Sequence, residues 1–216
     1  IGGLLMVLIF RNNQKSAVQN SMLALVLVLP YLITPLENQL PPPDSIRTVE
    51  TQIEIQADPA TVWQNVATVP LITATEQHFS LFHWLGLPRP LEATLSREGV
   101  GGIRHASFEE GLAFEETIYE WQAQKSIRFS IEVKPEAAPL RPPLGQIGGK
   151  YLNVFDGGFW IEPLGPERVM LHLSSQHRLS THFNFYGGLW TGWVMRDLQN
   201  YILSVIKARC EATASS

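Results

Sequence analysis

Cysteine is almost absent from this chain: Cys210 is the only one among 216 residues. An internal disulfide is therefore excluded, as is any zinc site built from several thiolates, and the redox compartment stays open. Charge is scarce as well, at 17% Asp, Glu, Lys and Arg, against about 25% in an average globular domain. Basic residues are the scarcer sign: 16 Lys and Arg stand against 20 Asp and Glu, for a formal net charge of −4 and a pI near 5.9. No basic face or RNA-binding signature is present, so nucleic acid is not an expected partner. Also missing are Gly-x-Ser-x-Gly, His-Glu-x-x-His and a phosphate-binding glycine loop followed by Lys. Their absence argues against the hydrolase, zinc-protease and nucleotide-binding classes that carry them. Nothing in the chain calls for a cofactor or a metal.

Apolar residues are plentiful, at 45%, and part of the excess is local. The first 44 residues hold only Arg11, Lys15, Glu37 and Asp44, leaving 14 basic and 18 acidic residues for the remainder. Residues 1–10, IGGLLMVLIF, are apolar up to Arg11 and are expected to be the end of a longer, truncated hydrophobic helix. After the polar turn RNNQK, residues 16–36 run for 21 positions without a formal charge, and a bilayer span needs roughly 20. A buried core helix or a secretory signal is the competing reading, but a signal would not follow another apolar segment. The sequence therefore predicts a transmembrane helix over 16–36, with Tyr31 as an interfacial anchor and Pro30 and Pro35 kinking or ending it. Arg11 and Lys15 precede the span, whereas Glu37 and Asp44 follow it. The positive-inside tendency places the cationic turn in the cytoplasm and the following domain outside it, on the membrane. Residues 37–45 are a linker stiffened by Pro41, Pro42 and Pro43.

Residues 46–211 read as one α+β domain, with 212–216 an unpacked tail. From Thr48 to Ala57, polar Thr48, Glu50, Gln52, Glu54 and Gln56 alternate with Val49, Thr51, Ile53, Ile55 and Ala57, the period of a strand with one wet face. Asp58-Pro59 opens a helix carrying Val62, Trp63 and Val66 on one side. Residues 79–87 crowd Phe79, Leu81, Phe82, Trp84, Leu85 and Leu87 without a charge. They fit a short helix closing the core, a cavity gate, or an edge that touches the membrane, with Phe79, Phe82, Trp84 and Leu85 as contacts. Strand-like runs follow at 91–97, 102–108, 112–121, 126–134, 158–163 and 168–180. The Pro- and Gly-rich stretch 135–158 between them is long enough to suspect a lid. The chain closes on an amphipathic helix over 186–211, with Trp190, Val194, Leu198, Tyr201, Ile202, Val205 and Ile206 on one side and Arg196, Gln199, Asn200, Ser204 and Lys207 opposite. An antiparallel sheet curled around that helix would leave any remaining space between them as a pocket.

The order strand, short helices, six strands, long helix is that of the helix-grip fold. The stretch from Ile53 to Trp63, IEIQADPATVW, resembles the opening of polyketide cyclase/dehydrase-like proteins of the START-like (SRPBCC) superfamily, as do the Gly99-to-Arg104 turn and the Glu116-to-Trp121 strand. The resemblance implies a helix-grip domain over residues 46–211, here on a membrane anchor, and a superfamily of lipid carriers, receptors, cyclases and oxygenase subunits; fold does not select among them.

Strand parity sorts the polar candidates. Glu109, Glu110, Glu115 and Glu116 flank Gly111, and Glu116 shares parity with Leu112, Phe114 and Ile118, so it is the one expected near the cavity. His172 and His177 fall on opposite strand faces, which removes a metal site made from them; His177 shares the inward parity of Val169, Leu171 and Leu173. The first function expected is a membrane-tethered binding module for a lipid or other hydrophobic small molecule. Phe129, Trp160, Trp190 and Trp193 would supply area, Arg104, Glu116 or His177 would orient a polar head, and Asp197 at the edge of the helix stripe is a further candidate at the ligand site. A second reading is a cyclase- or hydrolase-type enzyme in which Glu116 and His177 exchange protons. The third is an interaction domain of a membrane complex with a filled core.

Overall fold

The computed structural model describes residues 43–135, 148–182 and 184–214. The expected helices at 1–10 and 16–36, most of the 37–45 linker and the middle of the suspected lid lie outside these residues. Among the described residues no helix is long and apolar enough to cross a membrane.

The domain is one antiparallel sheet of seven strands: β1 (Asp44–Ile55), β2 (Pro90–Leu95), β3 (Ile103–Phe108), β4 (Leu112–Gln122), β5 (Ser126–Pro135), β6 (Leu152–Gly165) and β7 (Arg168–Ser180). The spatial order is β1-β7-β6-β5-β4-β3-β2. Only β1 is displaced from its sequence neighbours, and it pairs with β7 from Asp44↔Ser180 to Ile55↔Val169. Among the described residues three α-helices, α1 (Pro59–Ala67), α2 (Leu81–Trp84) and α3 (Asn184–Ala214), and a 3-10 turn at Glu109–Gly111 complete the fold. Residues 44 and 45, expected in the linker, begin β1, and the last turn of α3 takes in residues 212–214 of the expected tail.

Local chemistry accounts for these elements. Along β1, Val49, Thr51 and Ile55 are buried while Thr48, Glu50, Gln52 and Glu54 face water, the alternation expected of a one-sided strand. Asp58 caps α1 by accepting from the Ala60 and Thr61 amides at 2.9 and 3.0 Å, and Pro59 occupies the first turn. β6 begins at Leu152, inside the stretch expected to be irregular. It carries Gly157 and Gly158 where the neighbouring strand is close: a Cβ on Gly158 would lie 2.6 Å from the Ile127 carbonyl oxygen.

The core lies between sheet and helices. Val62, Trp63 and Val66 of α1 pack with Ile118, Ile127, Leu171 and Leu203, Ile206 and Cys210 of α3. Trp63 and Phe129 are both buried, as their positions on the apolar sides of their elements predict. At its C-terminal end α3 is clamped by Arg209, which holds the Glu76 carboxylate with two donors, at 2.5 and 3.1 Å, and donates to the Pro70 and Leu71 carbonyls.

The face of α3 turned to the sheet differs from the expected stripe. The buried positions are Gly188, Gln199, Leu203, Ile206 and Cys210, with Tyr201 and Val205 beside them. Gln199, expected on the wet side, is 2% exposed. It donates to the Val49 carbonyl and to Ser175 Oγ and accepts from Thr51 Oγ1. Trp190, placed by its hydrophobicity on the buried stripe, points outward and is 47% exposed. The reason lies in the inner surface: near the start of α3 the sheet presents Arg47, whose guanidinium crosses Gly188 and donates to the Asn184 carbonyl at 3.0 Å. A small residue and polar partners are wanted there, and an indole would not fit.

Candidate functional site: an apolar cavity with one buried ion pair

Between the sheet, α2 and α3 lies a cavity of about 400 Å³. Its wall is mostly aliphatic and aromatic, and the polar residues among those that line it are Glu92, Arg104, Glu116, Ser174, Ser175 and Gln199. Small residues make the room: Ala93 on β2 and Ala106 on β3 stand where larger side chains would fill it.

Arg104 and Glu116 face each other directly across the β3–β4 ladder, which explains how two charges meet on an inward face. Arg104 donates from its guanidinium to Glu116, and the residues are 5% and 8% exposed. The guanidinium also lies over the rings of Phe129 and Phe159, at 5.6 and 5.7 Å. Its Nε is buried without a hydrogen-bond partner. Burial pushes the Glu116 carboxyl above the usual carboxylate range, and Arg104 pulls part of that shift back. The arrangement is a compensated charge pair with one donor left over, set in an otherwise greasy wall.

Of the residues expected at a ligand site, Arg104, Glu116 and Phe129 line this cavity. The others sit elsewhere. Trp160 stacks on His172 on the outer face of the sheet, with centroids 4.5 Å apart, because its strand parity is opposite to that of buried Phe159 and Ile161. His177 is fully buried but is not a lining residue; its Nε2 pairs with Thr191 Oγ1 at 3.2 Å. Burial, and then Arg47, push its imidazole below the ordinary histidine value. Glu116 and His177 are thus engaged with separate partners, Arg104 and Thr191, and are not brought together as an acid–base pair. Trp190 and Trp193 turn to solvent, and Asp197 holds α2 by accepting from Ser80 Oγ and the Phe82 amide. Within the suspected membrane edge, Phe79, Trp84 and Leu85 are exposed, but Phe82 is 6% exposed and lines the cavity, since the short helix α2 turns it inward. Among the described residues no group of three His, Cys, Asp or Glu could hold a metal ion.

A START superfamily protein from Mycobacterium smegmatis superposes with a TM-score of 0.50 at 12% identity, covering 77% of this chain and 98% of that one. The fold is START-like. An uncharacterized protein from Rhizobium leguminosarum (TM-score 0.46, 14% identity, 79% of this chain and 99% of that one) and a norcoclaurine synthase from Thalictrum flavum (0.44, 14%, 81% and 99%) are more distant in shape. No protein-family model matches the sequence, and no curated protein is similar to it. At these identities the likeness is one of fold.

Ala93, Ala106 and Gln199 went unnoticed in the sequence as site residues, and Phe82 was expected at a membrane edge but lines the cavity. Ala106 had a usable signal: it shares parity with Arg104 and Phe108, so an inward Arg104 forces an inward Ala106. Gln199 had none, since its partners Thr51 and Ser175 lie far away in the chain.

Proposed function

We propose that this domain binds a lipid or other hydrophobic small molecule inside the START-like fold and is tethered to a membrane by the uncharged run over residues 16–36. The observation that carries the reading is the cavity: about 400 Å³, within the range of roughly 300–1,000 Å³ typical of small-molecule sites. A space of that size with an almost wholly apolar wall is explained as room for a hydrophobic ligand. Its chemistry follows from the wall: an apolar body against Phe129, Phe159 and the aliphatic side chains, and a polar head beside the Arg104–Glu116 pair. Because Glu116 already compensates the Arg104 charge, a neutral acceptor such as a hydroxyl or carbonyl fits better than a carboxylate.

Native mass spectrometry of the full chain after gentle extraction tests this. A discrete non-detergent mass on the protein is expected; only protein and detergent across several preparations would sink the carried-ligand reading. The domain is placed outside the cytoplasm on the strength of Arg11 and Lys15 before the run, and a reporter fused after Ser216 that is active only in the cytoplasm would overturn that orientation.

A further inference from the structure

The first three turns of α3 have their polarity inverted. Phe185, Tyr186, Leu189, Trp190 and Trp193, at i, i+1, i+4, i+5 and i+8, form one outward stripe, with exposures of 81, 61, 60, 47 and 42%. The inward side of the same turns carries Gly188 under Arg47 and Thr191 on His177. A helix lying on a sheet ordinarily shows water its polar side. Here no charged residue occurs from Asn184 to Met195. The stripe continues onto α2: Asp197, four residues after Trp193 and on the same face, holds Ser80 and Phe82, and thereby the exposed Phe79 and Trp84 beside them.

We propose that this outward face of α3 is a bilayer-docking surface, its tyrosine and tryptophans at headgroup depth. Two observations select lipid over a protein partner. Tyr186, Trp190 and Trp193 are of the amphipathic aromatic kind, each pairing an apolar body with a polar tip, that settles at a membrane interface, and Phe185 and Leu189 add wholly apolar area beside them. The chain also enters the domain beside the stripe: Asp44 pairs with Ser180, four residues before α3 begins, and Arg47 of β1 is bonded to Asn184. Only residues 37–43 separate the uncharged run from that point, a reach of at most about 25 Å. This part of the argument rests on the tether proposed above. A face held that near a bilayer meets lipid before any other partner. Docking would bring the cavity wall contributed by Val194, Met195 and Leu198, on the adjoining turns, next to the membrane.

The test uses the full chain with phosphatidylcholine vesicles, plain or brominated on the acyl chain just below the headgroup. Flotation reports the tether and tryptophan quenching reports the face. The chain is expected to float, and its emission to fall by about a third in brominated vesicles, the share of two tryptophans among six. Trp190→Phe with Trp193→Phe should remove most of that quenching, and Trp121→Phe should leave it in place. A chain that floats without being quenched overturns the docking face while the tether stands; a chain that does not float overturns both. Quenching undiminished in the double variant would assign the contact to Trp84 instead and overturn the α3 proposal. So would a dimer in native mass spectrometry that Trp190→Ala with Trp193→Ala dissolves, because a second copy would then cover the stripe.

Discussion

Removing Glu116 should damage the domain far more than removing the whole ion pair. Arg104 is 5% exposed, its hydrogen-bonded partner among the described residues is Glu116, and its other neighbours include the faces of Phe129 and Phe159. Ring faces attract a cation by about 0.5–2 kcal/mol but cannot replace a lost carboxylate. Glu116→Leu therefore leaves a buried, uncompensated guanidinium, at a cost of about 3–5 kcal/mol. For a domain of this size, at about 2–4 °C per kcal/mol, the melting midpoint should fall by about 6–20 °C. Adding Arg104→Met removes the stranded charge and should return stability to within about 1 kcal/mol of wild type, or above it. Carried ligand should not return with it, since the polar pair in the cavity wall is gone. Circular-dichroism melts and native mass spectra of the single and double variants measure both effects. If Glu116→Leu costs less than about 1 kcal/mol, the pair is solvated and the desolvation argument is wrong. If the double variant keeps its bound mass undiminished, the pair has no part in holding a ligand.

Phe129→Ala should cost about 3–5 kcal/mol, because the ring is 3% exposed and supports both Phe159 and Arg104; an unchanged melting midpoint would refute its place in the core. Glu76 is held down from its usual 4.5 to about 2, first by hydrogen bonding from Arg209 and then by the Thr73 backbone and hydroxyl. A carboxylate lowered in the folded state adds stability that is whole above about pH 4.5 and is lost as pH falls toward 2. With the side chain a quarter exposed, the contribution is about 1–2 kcal/mol after screening. Glu76→Gln should thus melt below wild type at pH 7, with the gap closing toward pH 2, and a gap independent of pH would refute the assignment. Asp58→Ala should cost about 1 kcal/mol through the lost cap of α1, read as a shift in denaturant midpoint without a change in slope.

Most of the fold was legible because it is written in short-range patterns. The period of two in β1 and β5, the Asp58-Pro59 start of α1 and the parity of Glu116 each depend on neighbouring residues, and each places its element correctly. What stayed hidden depends on distant partners. Hydrophobicity alone turned Trp190 and Trp193 inward and Gln199 outward, but the inner surface offered α3 an arginine, a histidine and a serine near those turns. Phe79 and Phe82 are alike in sequence, yet only Phe82 is buried, since the hydrogen bonds from Ser80 and the Phe82 amide to Asp197 set the rotation of α2. The start of β6 was masked by Gly157 and Gly158, whose lack of side chains reflects the closeness of β5 and not an irregular backbone.

The pairing of β5 with β6 has a mechanical side. It covers five residue pairs, Ser126↔Trp160 to Ser130↔Asp156, and among the described residues β5 beyond Ser130 pairs only with β4, while β6 before Asp156 pairs only with β7. The sheet is therefore two leaves stitched at one end and free at the other. Cavity residues stand on both lips of the free end, Ile131 on one and Tyr151, Leu152 and Val154 on the other, with Gly148 packed against Val133 as its latch. Among the described residues, parting the lips breaks no rung between the leaves, whereas a route between β1 and β7 would cut a ladder twelve residues long. Among the described residues, a slit opened in the wall at that end costs side-chain contacts and no ladder hydrogen bond between the leaves.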